Sequence, residues 1–431
     1  MIRDSVAIVS VLLSVCALFV AGSDGSTDPS AVAGVWRGYW VGDLEVRLVA
    51  EFEGEGGQLA ARSIWWSRMP EEIVLLASGN DGAEKLKALE LPRHAWLGTV
   101  DFAVSFDGAE VRFEKTEGLN LYPRVAEPPS GTFTMAGEYK KPGLIVGTDP
   151  VGGMLLLWKD GALDEPLPLD LKKAATHRVR CLDNPAWGYR VYVPESYDPG
   201  TPTPVLMNCS PSRDALPLST TMADELGWIM IGLTERENRK GDVERHNRAA
   251  VMFDIRRRFN VDWERFYACG FSGGARCAAL TAVKYPDLCH GVICIGAGYG
   301  YDGSGQYEYP PYDTPVAFVI GEQDELCYRE VIALYGQEKD KRDCTLIVHP
   351  GGHTWARPED HEAAIRWLND ITISKRGERV QARPRGYVPP DKLIGSYDTS
   401  DTVGVPEGER ADTGPQSTEG TCRRPRHVYP Q

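Results

Sequence analysis

Gly270-Phe271-Ser272-Gly273-Gly274 sets one serine among three glycines, between the apolar run "RFYACGF" and the helix-like run "RCAALTAVKYP". Glycines suit a sharp turn, but a turn needs no serine. A serine hydroxyl becomes a nucleophile when a base removes its proton and a carboxylate orients that base. Candidates for both follow in the chain. "PVAFVIGEQDE" leaves an apolar run at Gly321 and brings Asp324 into the next loop, with Glu322 and Glu325 as rivals. "CTLIVHPGGHTW" leaves another run near His349, turns through Pro350-Gly351-Gly352 and presents His353. His349 belongs to the run itself and His361 to the helix beyond it, so His353 is the better-placed base. Serine, aspartate and histidine thus fall at three run ends in the order that a G-x-S-x-G nucleophile on a strand–turn–helix unit requires. The Gly273 amide opens the following helix, where it and the helix dipole can stabilise a developing oxyanion.

Such a turn has meaning only between a buried strand and a helix, and the surrounding chain supplies that rhythm. From about 172 to 374, "YRVYVP", "TPVLMNCS", "GWIMIGL", "RFYACGF", "GVICIGAG", "PVAFVIG" and "CTLIVH" alternate with amphipathic stretches. Several of these runs are unbroken by polar residues, as parallel strands covered on both faces are. "DVERHNRAAVMFDIRRRF" places Val243, Ala250, Val251, Phe253, Asp254 and Ile255 across roughly one side of a helix. The expectation is an open α/β, mostly parallel sheet.

Residues 32 to 171 read differently. "DLEVRLVAEF" alternates apolar and charged residues, and "VDFAVSFDGAEVRFEK" is a hairpin around Asp107-Gly108. Short strands with glycine-rich turns predict a small all-β domain, a barrel or a sandwich. Its Trp36, Trp40, Trp65, Trp66, Trp96 and Trp158 suit a core, with a sugar-binding face as the alternative. Residues 375–431 are rich in glycine, proline and charge without apolar period, and read as a disordered tail. At the other end, residues 1–22 carry an apolar run behind a short polar start, closing on Ala21 and Gly22. That is the pattern of a cleaved secretory signal, which predicts a secreted or periplasmic protein with no stable membrane span after cleavage.

The stretches "YRVYVPESYDPGTPTPVLM", "FNVDWERFYACGFSGGARCAA", "IGEQDE" and "HPGGHTW" resemble the α/β-hydrolase superfamily, and within it esterases related to polyhydroxybutyrate depolymerases and feruloyl esterases. The likeness spans about residues 186 to 370. It implies an α/β-hydrolase fold with Ser272 as nucleophile, Asp324 as acid, His353 as base and the Gly273 amide as one oxyanion donor. One departure stands out. Where these families carry His-Gly after a strand, this chain has Asn208-Cys209-Ser210-Pro211. The second donor then falls to the backbone of Ser210 or Ser212, or to the Asn208 side chain. "GVWRGYW", "RLVAEF", "LAARSIWW" and "LPLDL" look like the small β-domain fused ahead of some exported hydrolases.

The expected activity is that of a serine hydrolase acting on small or polymeric carboxylic esters. A serine peptidase of the same fold is the alternative, and a catalytically inactive exported binding protein is the other. No metal or organic cofactor is implied. The formal charge of −14 speaks against a nucleic-acid partner, and oligomeric state is open. Between Ile295 and Pro315 the chain is too short for a cap domain, which predicts an open cleft that Tyr299, Tyr301, Tyr307, Tyr309 and Tyr312 could line. Nine of the ten cysteines follow the leader; Cys209, Cys269 and Cys294 read as buried packing residues, and Cys277, Cys289, Cys327 and Cys344 as disulfide candidates.

Overall fold

The computed structural model describes residues 29–382, except 43–44, 56–57, 70–73, 75–94, 123–133, 141–142, 150–151, 160, 163–166, 168–170 and 302–304. The secretory signal expected at 1–22 and, of the tail expected over 375–431, residues 383–431 lie outside the described residues. No helix among the described residues is long and apolar enough to cross a membrane.

The first eight strands are β1 (Gly34–Val41), β2 (Glu45–Glu55), β3 (Gln58–Ser67), β4 (Trp96–Phe106), β5 (Glu110–Tyr122), β6 (Thr134–Lys140), β7 (Leu144–Thr148) and β8 (Met154–Lys159). Each pairs antiparallel with the next, and β1 also pairs with β8, from Trp36 opposite Lys159 to Val41 opposite Met154. The sheet therefore closes into a barrel, which settles the choice between barrel and sandwich. Closure removes the exposed edges that an open eight-stranded sheet would carry. Inside lie Trp36, Leu48, Phe52, Trp65, Phe102, Val111, Phe113, Leu155 and Leu157. Phe113 meets Phe52 and Phe102 edge to face, and the Trp36 indole donates to the Val32 carbonyl at 2.8 Å. Trp36, Trp65, Trp66, Trp96 and Trp158 are buried and Trp40 is half-buried against Trp65, so the six serve as packing residues.

The unbroken apolar run of β8, "MLLLWK", has a physical reason. Leu155 and Leu157 face the barrel interior, while Met154, Leu156 and Trp158 face outward into the core of the α/β region. Two buried faces leave no place for alternation.

That region has eight strands as well: β9 (Ala175–Arg180), β10 (Gly188–Val193), β11 (Thr203–Cys209), β12 (Ile229–Leu233), β13 (Val261–Phe271), β14 (Val292–Ile295), β15 (Val316–Gly321) and β16 (Cys344–His349). Its helices are α1 (Thr220–Leu226), α2 (Gly241–Arg258), α3 (Gly273–Lys284), α4 (Tyr328–Glu338) and α5 (Pro358–Ala382). The sheet runs β16-β15-β14-β13-β11-β12-β10-β9. Strands β11 to β16 are parallel, and β10 and β9 form an antiparallel edge. This is the strand order of an α/β-hydrolase, as expected. Helix α5 continues to Ala382, eight residues past the end expected at Ser374.

Residues 247–255 of α2 are all buried, which is more than one face of a helix can supply. The helix lies between sheet and barrel. Its Asp254 accepts from the Tyr189 hydroxyl of β10 at 2.7 Å, and its Phe253 packs on Trp158 of β8 at 5.7 Å. Arg248, on the barrel side, meets Glu45 of β2 at 2.5 Å with both side chains out of solvent. Burial would push the Glu45 carboxyl up, and Arg248 outweighs that and holds it below the ordinary value. Arg68 to Glu308 at 2.8 Å and Arg47 to Asp287 add further pairs between the barrel and the α/β region.

Candidate active site

The turn at Ser272 is the tightest point of the α/β region. Ser272 has φ 54° and ψ −123°, a backbone state that costs a side-chain-bearing residue energy and persists only where its surroundings enforce it. They do so through close backbone approach. A Cβ on Gly270 would stand 2.4 Å from the Gly274 carbonyl oxygen, and one on Gly274 would stand 1.9 Å from the Cys209 oxygen. Both glycines of the motif are therefore steric requirements of the contact between β13, β11 and the start of α3. The Ser272 amide donates to the Ile295 carbonyl at 2.8 Å, which ties the turn to β14.

The loops after β15 and β16 bring the other two residues. The Glu322 amide donates to the His349 carbonyl at 2.8 Å and the Gln323 amide to the Gly351 carbonyl at 2.9 Å. Gly321 allows this stitching, because a Cβ there would lie 2.1 Å from the Gly351 oxygen. Asp324 is buried at the tip, where its Oδ1 accepts from the Leu326 amide at 3.0 Å and the Cys327 amide at 2.9 Å. Its Oδ2 faces His353 Nδ1 at 2.8 Å, and His353 Nε2 faces Ser272 Oγ at 2.9 Å. With Nδ1–H donated to the carboxylate, Nε2 is left as an acceptor for the serine proton. Phe271 holds the imidazole from the side, its ring centroid 4.9 Å from that of His353 and 5.1 Å from that of Trp355.

The rivals stand apart from this line. Glu322 and Glu325 are exposed. His349 is buried at the end of β16, and His361 is buried on α5 against Trp355, where burial lowers its affinity for a proton.

Of the oxyanion candidates, the Asn208 side chain is already committed. Its Nδ2 donates to the Leu216 carbonyl at 2.8 Å and its Oδ1 faces Cys269 Sγ at 3.6 Å. The Ser212 amide points to Ser210 Oγ at 3.3 Å. Gly273, first residue of α3, has by position no intrahelical acceptor for its amide. Ser210 follows β11 directly, and its carbonyl carbon lies 3.2 Å from where a Cβ of Gly274 would be. Ser210 and the start of α3 are thus neighbours.

Asp324, Cys327 and His353 offer three potential ligand atoms within 4.8 Å of one another. The carboxylate and the imidazole already bond each other. Burial, with Glu330 and Asp324 nearby, pushes the Cys327 thiol up to about 11, so at neutral pH it is not the thiolate that binds metals. The three fit a hydrogen-bonded acid–base pair beside a neutral thiol better than a metal centre.

Two expectations need correction. Cys277, Cys289, Cys327 and Cys344 are free thiols, as are the other four described cysteines. Cys277 and Cys289 are fully buried, so they pack as small apolar groups where bridge formation was expected. Tyr299 does not line a cleft but sits in the core, 5.6 Å from Phe318. Tyr301 and Tyr307 stack at 4.7 Å, with the Arg276 guanidinium 4.5 Å from the Tyr301 ring centre. Sequence reasoning also missed Arg236, a buried arginine whose guanidinium reaches the carbonyls of both Ser210 and Gly273. Nothing in "TERENRKGD" distinguishes it from its charged neighbours.

No protein-family model matches the chain, and no curated protein matches it. Solved structures similar to about half of it include Est1E from Butyrivibrio proteoclasticus, at 16% identity over 46% of this chain and 99% of that one, with a TM-score of 0.35. An esterase from Pyrobaculum calidifontis is similar at 14% identity over 49% of this chain and 87% of that one, TM-score 0.35. Butyrate-bound Est2 from Thermogutta terrifontis is similar at 14% identity over 48% and 96%, TM-score 0.36. The α/β-hydrolase fold stands independently of these likenesses, on the chain's own strand order and on the strained turn at Ser272.

Proposed function

We propose that the chain is an exported serine hydrolase that cleaves carboxylic esters through an acyl-enzyme. The observation that carries this reading is the continuous line Ser272 Oγ, His353 Nε2, His353 Nδ1, Asp324 Oδ2, with links of 2.9 and 2.8 Å, rooted on a backbone turn of positive φ. In the first step His353 Nε2 takes the Ser272 proton as Oγ bonds to the ester carbonyl carbon, and the carbonyl oxygen becomes an oxyanion. The Gly273 and Ser210 amides receive that charge. Collapse expels the alcohol, which takes the proton from His353 and leaves an acyl ester on Ser272. Water then attacks with His353 again as base, and the acid departs. Asp324 keeps the imidazole in the productive tautomer and stabilises its charged form without itself taking the proton.

The half-buried His353 and the exposed Leu326 and Trp355, two residues beyond Asp324 and His353, support an open, partly apolar approach to the serine. The apolar run within residues 1–22 supports export. The test is turnover of short-chain nitrophenyl esters beside a panel of chromogenic peptides. The expected result is ester cleavage that disappears in Ser272→Ala. Cleavage of peptides alone would replace the ester reading with a peptidase.

A further inference from the structure

The strand end that would carry His-Gly in resembling esterases is Asn208-Cys209-Ser210-Pro211 here, and the structure contains a device that can do the missing work. Arg236 follows β12 and is almost wholly buried. Its Nη1 donates to the Ser210 carbonyl and its Nη2 to the Gly273 carbonyl at 2.6 Å. These are the two residues whose amides the ester reading assigns to the oxyanion, one on the end of β11 and the other on the first turn of α3. Pro211 lacks an N–H, so the turn after Ser210 loses one donor that could otherwise brace it.

Arg236 is itself held on every side. Its amide donates to Asn247 Oδ1 at 3.1 Å, and its Nε donates to Glu244 Oε2 at 3.2 Å. Glu244 also faces Arg248 Nη1 at 3.5 Å, and Arg248 donates to Glu45 Oε1 at 2.7 Å. The Tyr285 hydroxyl donates to the same Glu45 oxygen at 3.2 Å. Charges alternate from Glu45 of the barrel, through Arg248 and Glu244 of α2, to Arg236 at the turn. Buried charges are tolerated when paired in this way, and removing one partner leaves the next uncompensated.

We propose that Arg236 is a positioning residue that clamps Ser210 and Gly273 at the spacing an oxyanion requires, and that the barrel anchors this clamp through Glu45, Arg248 and Glu244. The inference rests on the serine-hydrolase reading above. A guanidinium is suited to the role because its planar fork fixes two acceptors at once, where an ammonium acts as a point charge. The clamp acts on the oxyanion and not on the base, so its loss lowers kcat and leaves the shape of the pH profile unchanged.

The test uses full-length protein, with active sites counted by mass spectrometry after exhaustive fluorophosphonate labelling. Arg236→Met is expected to lower kcat per active site on a nitrophenyl ester by about 100-fold, the scale of one lost oxyanion donor. KM should stay within about threefold, the acid limb of the pH profile should stay in place, and affinity for an alkyl boronate should fall in step with kcat. Arg236→Lys should recover part of the loss, and Glu45→Gln in the barrel should lower kcat in the same sense by less, about threefold to tenfold. If Arg236→Met does not fold, Arg236→Lys and Glu45→Gln carry the decision. Unchanged kcat per active site in the folded variants overturns the clamp. A parent protein that neither turns over the ester nor takes the label sinks the serine-hydrolase reading instead, so the two failures are separable.

Discussion

The barrel and the α/β sheet each contain eight strands, but the residues proposed for catalysis all lie on the sheet. In the barrel every strand pairs on both sides, and the interior is filled mainly by apolar and aromatic side chains. The open sheet sends its chain back through crossovers, so the loops after its parallel strands gather at one end. Ser272, Asp324 and His353 sit after β13, β15 and β16 at that shared end. The difference is one of topology more than composition. Antiparallel hairpins scatter their turns over two rims, while parallel strands put every carboxyl end together. The two regions remain coupled through buried contacts, among them the pair of Glu45 and Arg248 and that of Arg68 and Glu308.

The largest effect expected on the sheet side comes from Asp324→Asn. The substitution keeps shape but presents an amide to His353 Nδ1, which favours the wrong tautomer. A loss of about 10⁴-fold in kcat is expected, with the fold retained. Steady-state ester kinetics beside circular dichroism checks it. A small loss would break the claim that the sheet's loops hold the chemistry.

Trp36→Ala probes the other side. Trp36 is fully buried in the barrel and donates to Val32. Its truncation should cost about 3–5 kcal/mol of stability and leave kcat per labelled active site within a few fold. Denaturant unfolding with active-site counting reads both. A large loss of kcat in sites that remain labelled would mean that barrel packing itself shapes the reaction.

The third contrast is smaller and depends on pH. The sequence has no cysteine between 32 and 171, and the eight described ones lie in the α/β region. Burial raises the thiols of Cys181, Cys269 and Cys277, those of Cys289 and Cys294 to about 12, and those of Cys327 and Cys344 to about 11. A raised thiol keeps its proton when folded, whereas the unfolded chain releases it near its ordinary value of about 8.5. Stability is therefore full below that value and declines as pH rises towards the folded values. Lys284 works in the opposite sense. Burial, with Arg68 beside it, lowers its affinity for a proton to about 8. The unfolded chain then holds that proton more tightly up to about 10.4, and stability rises across the interval. Seven thiols outweigh one lysine. The melting temperature in reductant should fall from about pH 8.5 to 11, and Lys284→Met should steepen the fall by a contribution on the order of 1 kcal/mol. A melting temperature that climbs over this range would reverse the assignment.

Much of this organisation is legible in the amino-acid sequence. Serine, aspartate and histidine at run ends were readable because residue type, local turn and chain order all point the same way. The alternation of apolar runs with helices implied the parallel sheet. Closure of the barrel was not readable, because it depends on β1 meeting β8 more than a hundred residues later, and both barrel and sandwich satisfy the same alternation. Asp254 did leave a signal, a charge on the apolar face of α2, and it proves to bind Tyr189 and Arg258. Arg236 left none, since its partners are backbone carbonyls at positions 210 and 273. The cysteines misled for a simple reason: export permits disulfides, but spacing says nothing about whether two thiols face each other.

The central claim, an activated serine at position 272, is tested most directly by treating the purified protein with a fluorophosphonate probe and mapping the adduct by mass spectrometry. The expected result is a single adduct on the peptide containing Ser272, absent in Ser272→Ala and strongly slowed in His353→Ala. A folded parent protein that takes up no probe, or takes it up elsewhere, would contradict the account.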